Sequence, residues 1–461
     1  MKINPPKAVI GKEDQFEHTL FGRKEFADSL TNLLRNVEEN LVVFVNAPWG
    51  EGKTTFSEMW RAQLKKRDHL DVIYFDAYAA DYFDDPFVAF SGEIIEFADK
   101  HLPGGKELSE RREFKETAVE VGKRIAGLAM KIGLRAASLN AVDSTHVEEF
   151  KEIAAGISEV GADVIEKKIE NFGVEKDALL KFKVSLAKLA AKVREKQKFP
   201  LTIIVDELDR CRPDFALSLL ERIKHLFDVE GVAFVLLVNR KQIENYIRTV
   251  YGGSDAESYL LKFGSLFVDL PNQQHAEANS YYVNGRKEFC HRLYTHFELS
   301  KKVRDGRILV ACMNVFSNHF ELTLREIEKA FVIMAIHYNS IPPDHSRNEF
   351  LTTLLAALKI KQPLLYKALS ESRISVDEFF QQSSLNNLKV GNEHDFNWEW
   401  LKETLCFYLM SDAELETATN EKNEKVRGGL RQMKNSWFGI SRNRIIPNLS
   451  RELDRFSLQP Q

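Results

Sequence analysis

The stretch LVVFVNAPWGEGKTT, residues 41–55, decides the fold of this chain. Its first residues form an apolar, largely β-branched run, which is typical of a strand buried on both faces of a sheet. Gly50 and Gly52 then permit a tight turn that points successive backbone N–H groups inward. A helix is predicted over residues 54–66, and the positive end of a helix favours an anion. The pattern predicts a phosphate-binding loop of the P-loop kind, with Ala47 standing where the strict pattern has glycine.

The residues of this loop have separate predicted roles. Backbone amides would hold the phosphates, Lys53 would reach the β- and γ-phosphates, and the Thr54 hydroxyl would bind Mg²⁺. The predicted nucleotide contacts are Trp49, Gly50, Glu51, Gly52, Lys53, Thr54 and Thr55. The alternative is a chance Gly-Lys-Thr turn in a surface loop, but a buried strand in front and a helix behind favour the P-loop.

A second apolar run, LTIIVDELDRC over residues 201–211, ends in acidic side chains. A buried strand here would deliver Asp206 and Glu207 to the carboxyl edge of a parallel sheet, where ligands bind. Asp206 suits the second shell of Mg²⁺, and Glu207, with its longer reach, suits a base that orients the attacking water. A strand that ends in solvated acids is the alternative. Arg210 could sense a γ-phosphate, contact a neighbouring subunit or form a structural ion pair.

Three further residues become candidates because of their positions relative to the predicted strands. Residues 232–238 predict another buried strand, and Asn239 and Arg240 follow its end. A polar residue there can sense the γ-phosphate or the attacking water, and a cation can stabilise charge. Arg23 lies upstream of the first strand and could contact the base or the phosphates, or it could be a solvated arginine at a helix start.

The composition indicates a cellular location more than a function. The chain has 461 residues, of which 44% are hydrophobic and 29% charged, and its net charge of −4 gives no sign of nucleic-acid or membrane binding. Its 4 cysteines show no CxxC spacing, which favours a reducing compartment and argues against zinc. No signal peptide and no transmembrane segment are predicted. We therefore predict a cytoplasmic protein.

The order of predicted elements indicates an α/β fold. Buried strands that alternate with helices imply a P-loop NTPase architecture, in which a parallel sheet is covered by helices on both faces. The predicted segments are the first part of the core at 16–99, a helical insertion at 100–198, the second part of the core at 199–275, a helical lid at 276–345 and a C-terminal helical domain at 346–461. The basic stretch 123–135 of the insertion could lie on a membrane surface, or the insertion helices could pack on each other.

Five segments, taken in order, resemble the KAP family of P-loop NTPases, which lies near the AAA+ and STAND groups in the additional-strand division. They are APWGEGKTT, IYFDAYAADYFDDPFVAF, IIVDELDRCRPDFALSLLERIKHLFD, and VAFVLLVNRKQIENYI with YLLKFGSLFVDLP. The resemblance covers about residues 20 to 275 and extends weakly to LTLREIEKAF at 322–331. It implies a nucleotide-dependent switch, and it places Arg325 where a lid arginine of the AAA+ second-sensor type could reach the nucleotide.

The chain departs from the family pattern in three ways. The usual acidic pair is Asp-Asp, whereas Glu207 is the second acid here, and Asn239 stands where many members have aspartate. Many members also insert transmembrane helices where this chain has its charged insertion, so membrane association is not carried over. The resemblance to phage-exclusion and defence ATPases implies a role in bacterial anti-phage defence.

Three functions are consistent with these patterns. The first is an Mg²⁺-dependent ATPase that switches a helical lid, with a protein partner or a second copy of the chain as its target. The second is a non-hydrolysing ATP-binding scaffold. The third is a nucleic-acid-binding ATPase, because residues 427–451 interleave cations with Trp437 and Phe438, although a solvated terminal helix would also explain them. ATP is the default nucleotide, since the Asn-Lys-x-Asp motif typical of GTP recognition is not apparent.

Overall fold

A five-stranded parallel sheet forms the centre of the molecule. The structure is a computed structural model, and it describes residues 4–6, 15–17, 20–83, 85–123, 161–252, 255–272, 285–341, 348–388, 397–420, 428–436 and 441–455. The strands are β1 (Leu41–Asn46), β2 (Ile73–Asp76), β3 (Leu201–Asp206), β4 (Val232–Val238) and β5 (Leu266–Asp269). Their order across the sheet is β2-β3-β4-β1-β5, and every pair is parallel. The predicted α/β class is confirmed.

The order of the strands places the two sequence motifs close together. Strand β1 leads into the glycine-rich loop and strand β3 ends in the acids, and β4 alone separates them. All residues of β3 and β4 are buried, as continuous apolar runs in a covered parallel sheet require. Because all strands run the same way, their carboxyl ends meet at one edge, which we call the phosphate edge.

Helices cover both faces of this sheet. One face packs against α1 (Arg23–Asn36) and α2 (Lys53–Lys66). The other face packs against α3 (Ala77–Ala80), α4 (Pro86–His101), α5 (109–123), α6 (Gly161–Gln197), α7 (Pro213–Leu226), α8 (Arg240–Tyr251) and α9 (Ala256–Leu260).

The described part of the predicted insertion packs as helices on the sheet core. Phe114 of α5 and Phe182 of α6 are fully buried, and their rings lie 5.4 Å apart. At the end of α6 the Gln197 side chain exchanges two hydrogen bonds of 3.1 Å with the backbone of Asp71, just before β2. The insertion therefore joins the sheet at the edge opposite the phosphate edge. Most of the basic stretch at 123–135 lies outside the described residues.

The remainder of the described chain, after residue 272, is helical. Its helices are α10 (Gly285–His296), α11 (Gly306–His319), α12 (Leu324–Ser340), α13 (Glu349–Lys361), α14 (Pro363–Ser370), α15 (Val376–Ser383), α16 (Trp398–Leu409), α17 (Asp412–Asn420), α18 (Gly428–Ser436) and α19 (Ile445–Leu453). Buried residues from Leu20 to Leu453 form one apolar core here, which spans both sides of the predicted boundary at 345. The segment boundaries remain predictions. None of the described helices has the length and apolarity needed to cross a membrane.

Candidate nucleotide site

The glycine-rich loop takes the conformation that its two glycines permit. Gly50 and Gly52 both have positive φ, at 89° and 77°, a region that residues with a Cβ rarely occupy. Helix α2 begins at Lys53 directly after Gly52, so its first N–H groups face the loop. The Lys53 Nζ donates to the carbonyl oxygen of Ala47 at 2.8 Å and is buried. The loop thus wraps around a lysine at the positive end of a helix, which is an arrangement suited to an anion.

Strand β3 brings both acids of its end to the start of α2. The Thr54 hydroxyl donates to Glu207 Oε1 at 3.2 Å, and the Ser57 hydroxyl donates to Asp206 Oδ2 at 3.4 Å. Successive side chains of a strand point to opposite faces, and two neighbouring acids would normally diverge. Glu207, however, has φ of 59°, a left-handed conformation that ends the strand. Both carboxylates therefore contact α2.

Burial raises the pKa of both acids at the end of β3. Burial raises the pKa of Asp206, and the hydrogen bonds from the Glu207 amide and Thr54 and the charge of Lys53 only partly offset it. Burial also raises the pKa of Glu207, the charge of Asp206 raises it further, and Arg210 opposes both. An additional cation nearby would stabilise the ionised form of both carboxyl groups.

The donor set fits a magnesium ion. Mg²⁺ takes oxygen ligands and keeps several waters, so it needs only one or two protein groups beside the phosphates. Thr54 offers a hydroxyl and Asp206 a buried carboxylate, and they lie on neighbouring elements at the phosphate edge. Within the described residues no group of three or more His, Cys, Asp or Glu side chains could form an all-protein cage. The site therefore matches an ion shared with phosphates rather than a structural metal.

Asp209 connects the loop to the neighbouring strand. Its Oδ2 accepts hydrogen bonds from the Trp49 indole N–H at 2.9 Å and from the Asn239 backbone N–H at 2.8 Å. Lys53 Nζ lies 3.2 Å from the same oxygen. Asp209 is fully buried, and its Oδ1 has no hydrogen-bond partner among the described residues. One carboxylate oxygen thus joins the P-loop to the end of β4.

Arg23 supports the loop from behind. Its guanidinium donates to the backbone oxygens of Glu51 at 2.5 Å, Gly52 at 3.4 Å and Pro271 at 3.3 Å. Burial lowers the pKa of Arg23 to about 10, against the opposing charge of Glu51. The alternative of a solvated arginine at a helix start is wrong, because the side chain is buried against the loop. Arg23 donates to carbonyl oxygens of the loop, and holding these carbonyls fixes the direction in which the loop N–H groups point.

A match to a known protein family agrees with this geometry. The family described as the KAP family P-loop domain matches residues 23–341, which is more than half of the chain. The chain belongs to the KAP family. A KAP P-loop domain is a nucleotide-binding NTPase domain, and the matched residues include the whole sheet and helices α10 to α12.

The similarities to solved structures are distant. The Aeropyrum pernix ORC2 protein in its ADPNP–ADP complexes is 12% identical, with a TM-score of 0.33, covering 95% of this chain and 96% of that one. The ADP form of the same protein is 12% identical, with a TM-score of 0.31, covering 98% of this chain and 95% of that one. At this level the similarity supports no inference about the KAP chain. No curated protein matched it.

The strand-end candidates of the KAP chain make contacts within the chain. The Asn239 side chain does not cap α8, and its backbone N–H is bound to Asp209. The Arg240 guanidinium pairs with Glu244 at 2.8 Å and Glu257 at 2.5 Å, which directs it along α8 and α9. Arg210 pairs with Glu207 at 2.5 Å, so of its three predicted alternatives the ion pair is the one observed.

The predicted lid of the KAP chain contacts the P-loop directly. The Arg325 backbone N–H donates to the Gly50 carbonyl oxygen at 3.1 Å, while its side chain is exposed. A capping box of Thr323 and Glu326 fixes the start of α12 at this point. In addition, Arg286 Nη2 of α10 lies 3.7 Å from Glu51 Oε1 inside the protein. Two helices of the lid therefore meet the nucleotide-binding loop.

Gly50 should be intolerant of any side chain because of this contact. A Cβ there would lie 2.8 Å from the Arg325 Cβ and 3.0 Å from the Thr323 hydroxyl, and the positive φ adds backbone strain. We expect Gly50→Ala to destabilise the protein by about 1–3 kcal/mol, measured by thermal or urea unfolding. Gly92→Ala in α4 is the matched control, since nothing lies within 4 Å of its Cβ. Equal stability of the two variants would contradict the packing described here.

Some residues of the site were not predicted as functional. Ser57 and Tyr74 both donate to Asp206 Oδ2, at 3.4 and 3.3 Å. Arg286, which is buried in the lid, and the buried Asp209 are likewise absent from the predicted site residues. The sequence DELD could have indicated Asp209, because it places a third acid three residues after Asp206, just beyond the end of the strand. No sequence pattern pointed to Arg286.

The described part of the C-terminal tail does not present a continuous basic surface. Arg431 donates to the Thr419 carbonyl oxygen at 2.8 Å, and Lys434 pairs with Glu416. Arg442 is buried and donates to the carbonyl oxygens of Phe407 and Met410, both at 2.5 Å. Arg444 and Arg451 are exposed, whereas Arg427, Trp437 and Phe438 lie outside the described residues. Three of the predicted tail cations thus make contacts within the chain.

Proposed function

We propose that this KAP protein is a Mg²⁺-dependent ATPase whose hydrolysis cycle is transmitted to its helical lid. The observation that carries the proposal is the meeting of α2 and β3, where Thr54 contacts Glu207 at 3.2 Å and Ser57 contacts Asp206 at 3.4 Å. A phosphate-binding helix start and a pair of acids in direct contact are the parts that γ-phosphate hydrolysis requires.

The loop supplies the phosphate contacts in this proposal. The amides of residues 50–55 and the start of α2 hold the phosphates, and Lys53 contacts the β- and γ-phosphates as a fixed positive charge. The Trp49, Glu51 and Thr55 side chains shape the loop around them. Arg23 acts through the loop carbonyls to which it donates, at Glu51 and Gly52, rather than through the nucleotide.

Asp206 and Glu207 have different roles in this proposal. Thr54 and Asp206 would hold the metal ion, which neutralises developing charge on the phosphates when bound. Glu207 orients the attacking water and accepts its proton, and its raised pKa makes it a better base near neutral pH. The left-handed turn at Glu207 keeps this carboxylate on the α2 side of the strand end.

Three further residues with proposed roles follow the end of β4 or lie at the start of α12. Asn239 stands at the end of β4, half buried beside Asp209, and senses the γ-phosphate or the water in this proposal. Arg240 can stabilise charge only by leaving Glu244 and Glu257. Arg325 is exposed at the start of α12, where its backbone already contacts Gly50, and its side chain is our candidate for the lid contact to the nucleotide.

The lid contacts support a switch rather than a bare hydrolase. Movement of the loop amides around phosphates changes the position of the Gly50 carbonyl and the Glu51 carboxylate. Both are bound to lid helices, through Arg325 and Arg286. The target of the switch is a protein partner or a second copy of the chain in this proposal. The anti-phage role implied by the resemblance remains a prediction, since no described contact bears on it.

Phosphate release from ATP tests the proposal. We expect the purified protein to release phosphate from ATP in the presence of Mg²⁺. Release should stop when the metal is chelated, because the phosphates and the acids are both negative and the metal ion supplies the positive charge that neutralises them. Tight ATP binding without any release would favour the non-hydrolysing scaffold instead. Release that is unchanged by chelation would contradict the assignment of Thr54 and Asp206. The nucleic-acid alternative gains no support from Arg431, Lys434 and Arg442 of the described tail, which make contacts within the chain.

A further inference from the structure

The carboxylate of Asp209 has a more specific role than its place after the acidic pair suggests. We propose that Asp209 is a positioning residue, the internal counterion of Lys53, and that it competes with nucleotide phosphates for that lysine. The competition rests on the proposed function, whereas the pairing itself does not. The inference comes from the contacts of one oxygen atom, Asp209 Oδ2.

The pairing is enclosed by protein. Lys53 Nζ lies 3.2 Å from Asp209 Oδ2, and the side chains are 7% and 0% exposed. A charge this deeply buried is costly unless it is paired, so each group depends on the other. Lys53 Nζ donates hydrogen bonds to the neutral carbonyl oxygens of Ala47 and Pro48, and the Lys53 charge also acts on Asp206. Among the described residues, Asp209 is the acid in direct contact with this lysine.

Two neutral donors share the same oxygen. The Trp49 indole and the Asn239 backbone N–H can also donate to the amide oxygen of an asparagine. The change Asp209→Asn therefore keeps an acceptor for these hydrogen bonds and removes the negative charge. This separates a counterion from a merely structural acceptor, because the structural role survives the substitution.

The expected effect on nucleotide binding follows from the signs of the charges. Phosphates that approach Lys53 also approach Asp209, and a like charge at short range opposes binding. Removing the negative charge of Asp209 also leaves the positive charge of Lys53 free to interact with the phosphates. A merely structural role for Asp209 predicts unchanged binding instead, since asparagine keeps an acceptor for the hydrogen bonds that hold the loop.

The first measurement needs no nucleotide. Thermal unfolding of Lys53→Met, Asp209→Asn and the double variant forms a double-mutant cycle. We expect Lys53→Met alone to lower the melting temperature more than the double variant does, because it leaves a buried carboxylate unpaired. If the effects of the two substitutions simply add, the pairing contributes nothing and the inference is overturned.

The second measurement is the affinity for ATP and ADP by calorimetry. We expect Asp209→Asn to bind both roughly tenfold more tightly than the parent. Asp214→Asn is the control, since Asp214 is exposed in the first turn of α7 and its loss changes the net charge equally. Unchanged or weaker binding by a folded Asp209→Asn protein would refute the competition.

The two measurements separate this inference from the proposed function. If the parent protein binds no nucleotide, the proposed function fails, and the unfolding cycle alone decides whether the two side chains are a pair. If the parent binds nucleotide and Asp209→Asn does not tighten it, the ATPase proposal stands and this inference falls.

Discussion

Lys53→Ala is expected to abolish nucleotide binding, with an affinity at least about 100-fold below that of the parent. The reason is that Lys53 is enclosed by the P-loop, at the positive end of α2 and held by the Ala47 carbonyl. Its loss removes charge-assisted contacts to two phosphates, and alanine at the first position of a helix replaces none of them. Calorimetry with ATP and ADP at fixed salt concentration measures the effect.

The control for this change lies on the same helix. Lys66 is exposed at the end of α2, so Lys66→Ala removes an equal charge far from the loop. We expect it to bind nucleotide as the parent does. Retained binding by Lys53→Ala would mean that the loop is not the phosphate site, and with it the proposed function would fail.

Glu207→Gln is expected to bind ATP normally and to lose turnover by about 100-fold to 10,000-fold, the usual contribution of a general base. Glutamine keeps an oxygen that can accept from the Thr54 hydroxyl, so the contact at 3.2 Å survives. It cannot take a proton from water, and it loses the ion pair with Arg210. Initial rates of phosphate release under saturating ATP measure the loss, and a binding titration shows that the site is intact.

A surface substitution shows whether the effect of Glu207→Gln is specific. Glu58 of α2 is exposed, so Glu58→Gln should change neither binding nor turnover. If Glu207→Gln releases phosphate at the rate of the parent, then Glu207 is not the base. The proposed division of roles between Asp206 and Glu207 would then have to be abandoned.

The fold was largely predictable because its signals are local. Strands β1, β3 and β4 are short apolar runs that end in a polar residue or are followed by one, and parallel sheets produce this pattern from burial on both faces. The P-loop glycines are equally visible, since only glycine takes φ near 80° at low cost. The strand predicted at residues 232–238 has the same bounds in the structure.

The site was only partly predictable because its contacts are long-range. The buried ion pair of Glu51 with Arg286 joins residues from the loop and the lid, and nothing in either local sequence indicates the other. The role of Arg23 was ambiguous for the same reason, since burial by the P-loop and Pro271 decides it. The left-handed turn at Glu207 could not be foreseen, because glutamate has no preference for that conformation.

The place where the insertion enters has a consequence for how such proteins diversify. Helix α6 returns to the sheet beside Asp71, at the starts of the strands, while the P-loop and the acids stand at their opposite ends. Segments of very different length can be inserted at this position without disturbing the P-loop and the acids at the opposite ends of the strands. Natural variation in this insertion would therefore leave the P-loop and the acids unaltered.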